Sequence, residues 1–249
     1  MRYLLENWNV VGLRLRNAKA IALFLDFDGT LAPLRARPEE AHLPAAARRV
    51  LRRLSGRPRV RIWVISGRRQ VDVCERVAVP GVRCLGLYGS ENGELPRLDQ
   101  ETLRVLAEAK SELAGRLGHT AGLWIEDKCA TFALHYRGAA PAAVGRAHRA
   151  LEEVRGRFSR WLRVAGGDRV WEVMPRELPG KGDAVRRCLR RPALAVYIGD
   201  DTADETAFAA FSQGITVCVG PARQTRAGFR LRNPAEVRRA LEKLDQEVQ

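Results

Sequence analysis

The sequence has no closely spaced pair of cysteines and no long apolar run. Its five cysteines are scattered singly, at positions 74, 84, 129, 188 and 218. An odd, widely spaced set argues against a disulfide framework and against a zinc site. No apolar run approaches the roughly eighteen residues that a membrane-spanning helix requires, and residues 1–11 lack the apolar stretch of a secretory signal. We therefore expect a cytoplasmic protein with no membrane partner.

Lysine and aromatic residues are also scarce. Arginine supplies 38 of the 43 basic residues, against 29 acidic ones, which leaves a net charge of +14. Such a charge is compatible with nucleic-acid binding, and residues 48–61 contain seven arginines and no acid. Aromatic residues are nearly absent from that stretch, however, and no nucleic-acid motif is present. We expect a solvated arginine-rich surface and no nucleic-acid partner, with a basic nucleic-acid-binding protein as the remote alternative.

The composition is that of a globular protein. The 249 residues are 46% hydrophobic and 29% charged, which excludes intrinsic disorder and allows a sizeable core. Apolar runs typical of buried strands alternate with amphipathic helices near both ends of the chain. The strands are predicted at residues 20–27, 61–66, 83–88, 194–198 and 215–219.

The middle of the chain has a different pattern. Helices at residues 101–117 and 142–157 alternate with two strand pairs, and the second pair is predicted to turn at Gly166-Gly167. The fold class is therefore predicted to be α/β, with a doubly wound parallel-sheet core formed by residues 1–96 and 176–249. A smaller α+β cap formed by residues 97–175 is inserted in it. We expect a monomer.

Two clusters of acidic residues follow predicted strands. Asp26 and Asp28 lie in the segment Asp26-Phe27-Asp28-Gly29-Thr30, after the first strand. Open α/β sheets bind ligands at the carboxyl ends of their strands. Two carboxylates this close repel each other unless a cation lies between them or one is protonated. One acid is then suited to act as a nucleophile while the other transfers protons.

The second acidic cluster is Gly199-Asp200-Asp201-Thr202-Ala203-Asp204-Glu205, after the strand at residues 194–198. Carboxylates concentrated at a strand end suit a hard divalent cation, which prefers oxygen ligands. Asp204 and Glu205 are also compatible with the acidic first turn of a helix. Asp200 and Asp201 precede that helix, so the helix dipole explains them poorly.

Two smaller signals suit an anionic ligand. Ser66-Gly67-Arg68 ends the second predicted strand and offers a hydroxyl, backbone amides and a guanidinium. Lys181 lies between two glycines at a helix start, although the segment lacks the spacing of a nucleotide-binding P-loop. In isolation, Ser66 is equally compatible with an ordinary helix cap.

The order of these four signals resembles that of the haloacid dehalogenase superfamily of phosphotransferases. Further segments are similar to the trehalose-6-phosphate phosphatase family, over roughly residues 23–241. They are Leu31-Ala32-Pro33, Ile125-Glu126-Asp127-Lys128, Leu134-His135-Tyr136-Arg137, Glu172-Val173-Met174-Pro175 with Lys181-Gly182, and the Gly-Asp-Asp-x-x-Asp-Glu signature. The chain departs from the family at Ala203, where the family usually has threonine, and in the loop at residues 90–93.

The resemblance implies a catalytic mechanism for the core. Asp26 would attack phosphorus to form an aspartyl-phosphate, and Asp28 would act as acid and then as base. Mg²⁺ would be the cofactor, held by the Asp26 carboxylate, the Asp28 backbone carbonyl and Asp200. Asp201 and Asp204 would orient these ligands. Ser66 and Lys181 would bind the other phosphate oxygens, with Gly67 and Arg68 also contacting substrate.

For the cap, the resemblance implies recognition of the sugar. Glu126, Lys128 and Glu172 would bind hydroxyls, which both donate and accept hydrogen bonds. His135 and Arg137 would bind the substrate or brace the cap. The implied function is hydrolysis of the small-molecule sugar phosphate trehalose 6-phosphate. The alternative within the superfamily is another sugar phosphate, such as glucosylglycerol phosphate or mannosylglycerate phosphate.

Overall fold

The protein is described by a computed structural model over residues 1–35, 37–167, 169–190, 192–211 and 213–249. The chain divides into two compact units. The first, called the core unit, contains Met1–Gly93 and Gly180–Gln249. The second, called the cap unit, contains Glu94–Pro179. The core unit is thus discontinuous in sequence, with the cap unit inserted between its two parts.

The core unit contains a seven-stranded sheet whose strand pairs are all parallel. The strands are β1 (Arg2–Tyr3), β2 (Ile21–Leu25), β3 (Val60–Ile65), β4 (Val82–Leu85), β9 (Leu194–Gly199), β10 (Ile215–Val219) and β11 (Phe229–Leu231). Their order in the sheet is β1-β11-β10-β9-β2-β3-β4. All five residues of β2 are buried, as expected for a strand covered on both faces.

The helices of the core unit supply that cover. They are α1 (Trp8–Asn17), α2 (Ala45–Ser55), α3 (Gln70–Val77), α6 (Lys181–Cys188), α7 (Glu205–Phe208) and α8 (Pro234–Glu247). Alternate residues of β2 contribute to two separate hydrophobic clusters, one containing Leu23 and the other Phe24. This alternation follows from the two-residue period of a strand, and it confirms the doubly wound α/β fold.

The cap unit is an antiparallel sheet with two helices. Its strands are β5 (Trp124–Asp127), β6 (Phe132–His135), β7 (Leu162–Gly167) and β8 (Val170–Pro175), in the order β5-β6-β8-β7. Its helices are α4 (Gln100–Leu117) and α5 (Pro141–Arg157). Leu134 and Val173 belong to the same hydrophobic cluster as residues of both helices. The helices therefore cover one face of the sheet, and polar residues occupy the other.

Several predicted boundaries were wrong. Gly166 and Gly167 do not form the turn, because both are still paired with β8, as Gly166 with Trp171 and Gly167 with Val170. The strand predicted to reach Tyr88 ends at Leu85, because Leu87 and Tyr88 have φ values of 46° and 60°, which no strand accommodates. The helix that follows the second acidic cluster is short and ends at Phe208.

The arginine-rich stretch at residues 48–61 is largely tied to the fold. Arg48 donates to the carbonyl oxygens of Arg76 and Val77 at the end of α3. Arg59 donates to three carbonyls at the ends of α1 and α8, those of Arg16, Ala18 and Glu247. Arg53 and Arg57 pair with Asp245 of α8. Cations at helix C-termini interact favourably with the helix dipole, so these four arginines have a structural role. Among the described residues, no helix combines the length and apolarity needed to cross a membrane.

Candidate active site

The carboxyl ends of β2 and β9 bring the two acidic motifs together. These strands are neighbours in the sheet, and the Asp26 backbone N–H donates to the Ile198 carbonyl at 2.9 Å. Gly29 has a φ of +76°, and a Cβ at this position would overlap the Asp200 carboxylate. Glycine is required there both by the left-handed backbone and by the close approach of Asp200.

Lys181 bridges two carboxylates at the centre of the site. It is the first residue of α6, and its Nζ lies 2.6 Å from Asp26 Oδ1 and 2.7 Å from Asp204 Oδ1. All three residues are buried. Asp204 is further held by the Tyr197 hydroxyl at 2.6 Å and by the Asp201 backbone N–H at 2.9 Å. Such charge-assisted hydrogen bonds fix the orientation of Asp204.

The site carries more negative charge than Lys181 can neutralise. Asp26, Asp200 and Asp204 each offer a carboxylate oxygen within 4.8 Å of the others. Burial raises the pKa of Asp26 to about 7, although Lys181 opposes this shift. Burial, followed by the charges of Asp26 and Asp204, raises the pKa of Asp200 to about 10. Burial lowers the pKa of Lys181, but Asp204 and Asp26 together hold it well above its usual value.

This donor set fits a hard divalent cation. Carboxylate oxygens are the preferred ligands of Mg²⁺, and a cation would relieve the mutual repulsion that raises the pKa of these acids. Asp204 already accepts hydrogen bonds on both of its oxygens. Asp26 and Asp200 are therefore the better placed ligands, with Asp204 orienting the surrounding groups.

Asp28 is held by an arginine rather than by Lys181. Arg68 Nε and Nη2 donate to the two Asp28 carboxylate oxygens at 2.7 and 2.8 Å, and its Nη1 pairs with Asp72 at 2.7 Å. The Asp28 side chain is 34% exposed. Two parallel bonds of this kind fix the plane of a carboxylate. Arg68, predicted to bind substrate, is thus engaged with Asp28 in this structure.

Ser66 and Gly67 lie at the end of β3 beneath a strained segment. The buried Ser66 accepts a bond from the Tyr88 backbone N–H at 2.8 Å on its carbonyl, and one from the Arg68 N–H at 3.2 Å on its hydroxyl. A Cβ on Gly67 would lie 2.8 Å from the Tyr88 ring. The left-handed φ of Tyr88 places its ring there. Backbone strain of this kind is concentrated at functional sites, and no sequence signal indicated Tyr88.

Arg223 is a second residue that sequence reasoning missed. It follows β10, and its Nη2 donates to the carbonyl oxygens of Asp200 and Asp201 at 3.1 and 3.0 Å. Its Nη1 lies 3.5 Å from Glu205. The guanidinium thus holds the backbone of the second acidic motif. Arg223 is 23 and 22 residues from Asp200 and Asp201 in the sequence, so no local pattern indicated the contact.

The polar face of the cap sheet contains another lysine between two carboxylates. Lys128 Nζ lies 2.9 Å from Glu172 Oε2 and 3.8 Å from Glu126 Oε2. The Thr131 hydroxyl donates to the other Glu172 oxygen at 2.7 Å. Lys128 and Glu172 are both buried. The structure therefore groups the three cap residues that were predicted to bind sugar.

His135 extends this group toward the edge of the sheet. Its Nε2 lies 2.9 Å from Glu126 Oε2, and its ring stacks on the Trp124 indole with the ring centroids 3.9 Å apart. Trp124 had not been predicted as a site residue. Arg137 lies just beyond β6 and is half-buried.

The fold is shared with proteins of the haloacid dehalogenase-like class. A solved haloacid dehalogenase-like hydrolase from Bacteroides thetaiotaomicron has a similar fold, with a TM-score of 0.65 at 17% identity over 91% of this chain and 100% of that one. The trehalose-phosphatase family profile matches residues 24–234. The chain belongs to the trehalose-phosphatase family.

Individual relatives agree with this assignment. The trehalose-phosphate phosphatases of Mycobacterium tuberculosis H37Rv and Mycobacterium avium are 33% and 35% identical, over 93% and 92% of this chain. The chain spans 63% of the length of each of these relatives. The trehalose-6-phosphate phosphatase C-terminal domain of C. albicans has a similar fold, with a TM-score of 0.83 at 23% identity over 97% of both chains.

Proposed function

We propose that the protein hydrolyses trehalose 6-phosphate to trehalose and phosphate through an aspartyl-phosphate on Asp26. One observation carries the proposal: in a chain of the trehalose-phosphatase family, Asp26, Asp200, Asp204 and Lys181 converge at the carboxyl ends of β2 and β9. This is where open α/β sheets bind ligands.

The core residues divide the chemistry between two carboxylates. An Asp26 oxygen attacks phosphorus in line, and the bond between phosphorus and the sugar oxygen breaks as the new bond forms. Asp28 donates a proton to the departing sugar oxygen. It then takes a proton from the water that attacks the aspartyl-phosphate, which releases phosphate and restores Asp26. Lys181, which contacts Asp26, opposes the rise in the pKa of this carboxyl and so favours the ionised nucleophile.

The phosphate oxygens require donors at the same place. The Ser66 hydroxyl, the Gly67 N–H and the Lys181 ammonium supply them and stabilise charge that develops in the transition state. Arg68 orients the Asp28 carboxylate through its two hydrogen bonds. A direct contact of Arg68 with substrate would require it to release one of these bonds.

The proposal includes dependence on Mg²⁺. Asp26 and Asp200 would hold the ion together with the Asp28 backbone carbonyl, and Asp201 and Asp204 would orient these ligands. The bound ion would neutralise negative charge on the phosphate and its nucleophile. Without it, the raised pKa values of Asp26 and Asp200 leave part of this site protonated near neutral pH.

The cap unit supplies the selectivity for the sugar. Glu126, Glu172 and Lys128 provide acceptors and a donor for hydroxyl groups. His135 contacts Glu126, and Arg137 lies two residues further along the chain. A site built to hydrogen-bond hydroxyls discriminates strongly against substrates that lack them, because its buried polar groups are then unpaired.

Phosphate release from a panel of esters tests the proposal. The panel contains trehalose 6-phosphate, glucosylglycerol phosphate, mannosylglycerate phosphate and glucose 6-phosphate, each with Mg²⁺ and with a chelator. We expect trehalose 6-phosphate to have the highest kcat/KM and the chelator to abolish turnover. Equal turnover of the other esters would contradict the assignment of trehalose 6-phosphate as the substrate. Full activity in the presence of the chelator would contradict the dependence on Mg²⁺.

A further inference from the structure

The polar face of the cap sheet is arranged in two rows across its strands. In one row, Glu126 of β5 pairs with Ala133 of β6, which pairs with Glu172 of β8. In the next row, Trp124 pairs with His135. Residues two apart on a strand point to the same face, so Trp124 and Glu126 share a face. The indole therefore lies one row away from the group formed by Glu126, Lys128 and Glu172.

Trp124 is exposed although its ring is fixed. The residue is 41% exposed, and it is absent from the hydrophobic cluster that packs beneath the cap sheet. Its indole lies parallel to the His135 ring, with an angle of 6° between the planes. His135 is in turn held by Glu126 and is only 15% exposed. One side of the indole is thus backed by a stacked ring that is itself anchored.

We propose that Trp124 is a stacking platform for a glucose ring of the substrate. The proposal rests on the proposed function and adds to it a residue that neither the acidic motifs nor the grouped polar residues of the cap include. The platform and the carboxylates form adjacent parts of one sugar-binding surface on the cap sheet.

The chemistry of a pyranose matches this surface. The ring has an apolar face of C–H groups and a rim of hydroxyls, so it needs an apolar plane beside hydrogen-bonding groups. Small-molecule sites combine aromatic surface with a few placed polar groups in this way. An indole buries a large area on contact, and tryptophan is among the residues that contribute most to binding when covered.

The stack on His135 explains why this tryptophan is suited to the role. A side chain that is already held in its bound orientation loses little conformational entropy when the ligand arrives. The hydrogen bond from His135 to Glu126 also couples the orientation of the platform to that of a carboxylate. A sugar that meets the indole is therefore aligned relative to Glu126.

The test compares Trp124→Ala and Trp124→Phe with the parent protein. Leu103→Ala is the matched control, because Leu103 is an exposed apolar residue of the same unit, on α4. Trehalose binding is measured by calorimetry, and KM and kcat are measured for trehalose 6-phosphate. Hydrolysis of acetyl phosphate, which has no sugar, reports on the core site. Thermal melting followed by circular dichroism identifies the folded variants.

We expect Trp124→Ala to raise KM and the trehalose Kd about tenfold, which corresponds to about 1.4 kcal/mol. Its kcat and its hydrolysis of acetyl phosphate should stay within about twofold of the parent. Trp124→Phe should retain most of the affinity, because it keeps an aromatic face, and Leu103→Ala should change nothing. If Trp124→Ala is unfolded, Trp124→Phe and a Trp124→Leu variant carry the comparison.

Two failures are distinguishable. Unchanged KM and trehalose Kd in a folded variant without an aromatic ring would overturn the platform, even while the parent hydrolyses trehalose 6-phosphate. If the parent does not hydrolyse that ester, the proposed function fails. Trehalose binding alone then tests the platform. Loss of binding in Trp124→Ala would support the platform, and retained binding would overturn it.

Discussion

The core and cap units each contain a buried lysine between two carboxylates, but the two groups differ in what surrounds them. Lys181 contacts Asp26 and Asp204 at 2.6 and 2.7 Å, and a third acid, Asp200, adds charge that it cannot balance. Lys128 contacts Glu172 at 2.9 Å. Thr131 donates a hydrogen bond to Glu172, and His135 contacts the second acid of the cap group, Glu126.

The core site is therefore suited to charged groups, and the cap group is suited to hydrogen bonding. In the core site, burial and then the charges of Asp26 and Asp204 raise the pKa of Asp200 to about 10. This excess of carboxylates suits a cation and a phosphoryl group. The cap group has one lysine for two acids, with the Thr131 hydroxyl and the His135 ring as further hydrogen-bonding partners, and such a group suits uncharged hydroxyls. Substitutions in the core site should slow the hydrolysis of every phosphate ester. Substitutions in the cap group should slow the hydrolysis only of esters that carry the recognised sugar.

Replacement of Lys181 should have the largest effect. Lys181→Met leaves Asp26 and Asp204 buried without their cation, so we expect turnover of all esters to fall by about 10²–10³ and the free energy of unfolding to fall by about 3–5 kcal/mol. Urea unfolding and phosphate release measure the two effects. Lys19→Met, at an exposed lysine, is the control. Retained turnover of acetyl phosphate by Lys181→Met would contradict a role of Lys181 in the chemistry of the core site.

Replacement of Glu172 should discriminate between substrates. Glu172→Gln keeps the size of the side chain and its bond with Thr131 but removes the charge that faces Lys128. We expect kcat/KM for trehalose 6-phosphate to fall by about 10–100-fold, as when a buried hydrogen-bonding group is mismatched. Acetyl phosphate hydrolysis should be unchanged. Equal losses on both esters would show that Glu172 serves the core chemistry and not the sugar.

Arg223 should affect the cation without contacting it. Arg223→Ala releases the carbonyls of Asp200 and Asp201, so we expect the affinity for Mg²⁺ to fall by about tenfold, as for other residues that orient metal ligands. Calorimetric titration with Mg²⁺ measures this, and Arg226→Ala is an exposed neighbouring control. Unchanged affinity for Mg²⁺ would contradict this role and would show that Arg223 only supports the backbone of Asp200 and Asp201.

The smallest effect concerns pH. The pKa values of Asp26 and Asp200 are raised on folding, to about 7 and about 10, so the folded protein binds more protons than the unfolded one. Stability without the ion should therefore fall as pH rises from about 4 through these values. Because Mg²⁺ replaces those protons, the gain in Tm on adding Mg²⁺ should be larger at pH 8 than at pH 6. Asp200→Asn should remove most of the difference.

The sequence indicates the core site well because its residues occupy strand ends. Asp26 and Asp200 each follow an apolar run, and neighbouring parallel strands bring such ends together. Lys181 was also identifiable, from its glycines and its position at a helix start. Elements with weak patterns were missed, namely the short strands β1 and β11 and the ten-residue helix α1.

Other contacts depend on the tertiary structure alone. Arg223 reaches the Asp200 loop from beyond the next strand, and the left-handed Tyr88 lies over Gly67. The stack of Trp124 on His135 depends on the register of two antiparallel strands. That register follows from the whole hydrophobic pattern of the sheet and not from any local motif.

The most direct measurement of the central claim is an acid quench of the enzyme during turnover of trehalose 6-phosphate labelled in its phosphate, followed by peptide mapping. We predict label on the peptide that contains Asp26, dependent on Mg²⁺ and absent from Asp26→Asn, which should also lose turnover. Full turnover by Asp26→Asn, or label on a different residue, would contradict the account.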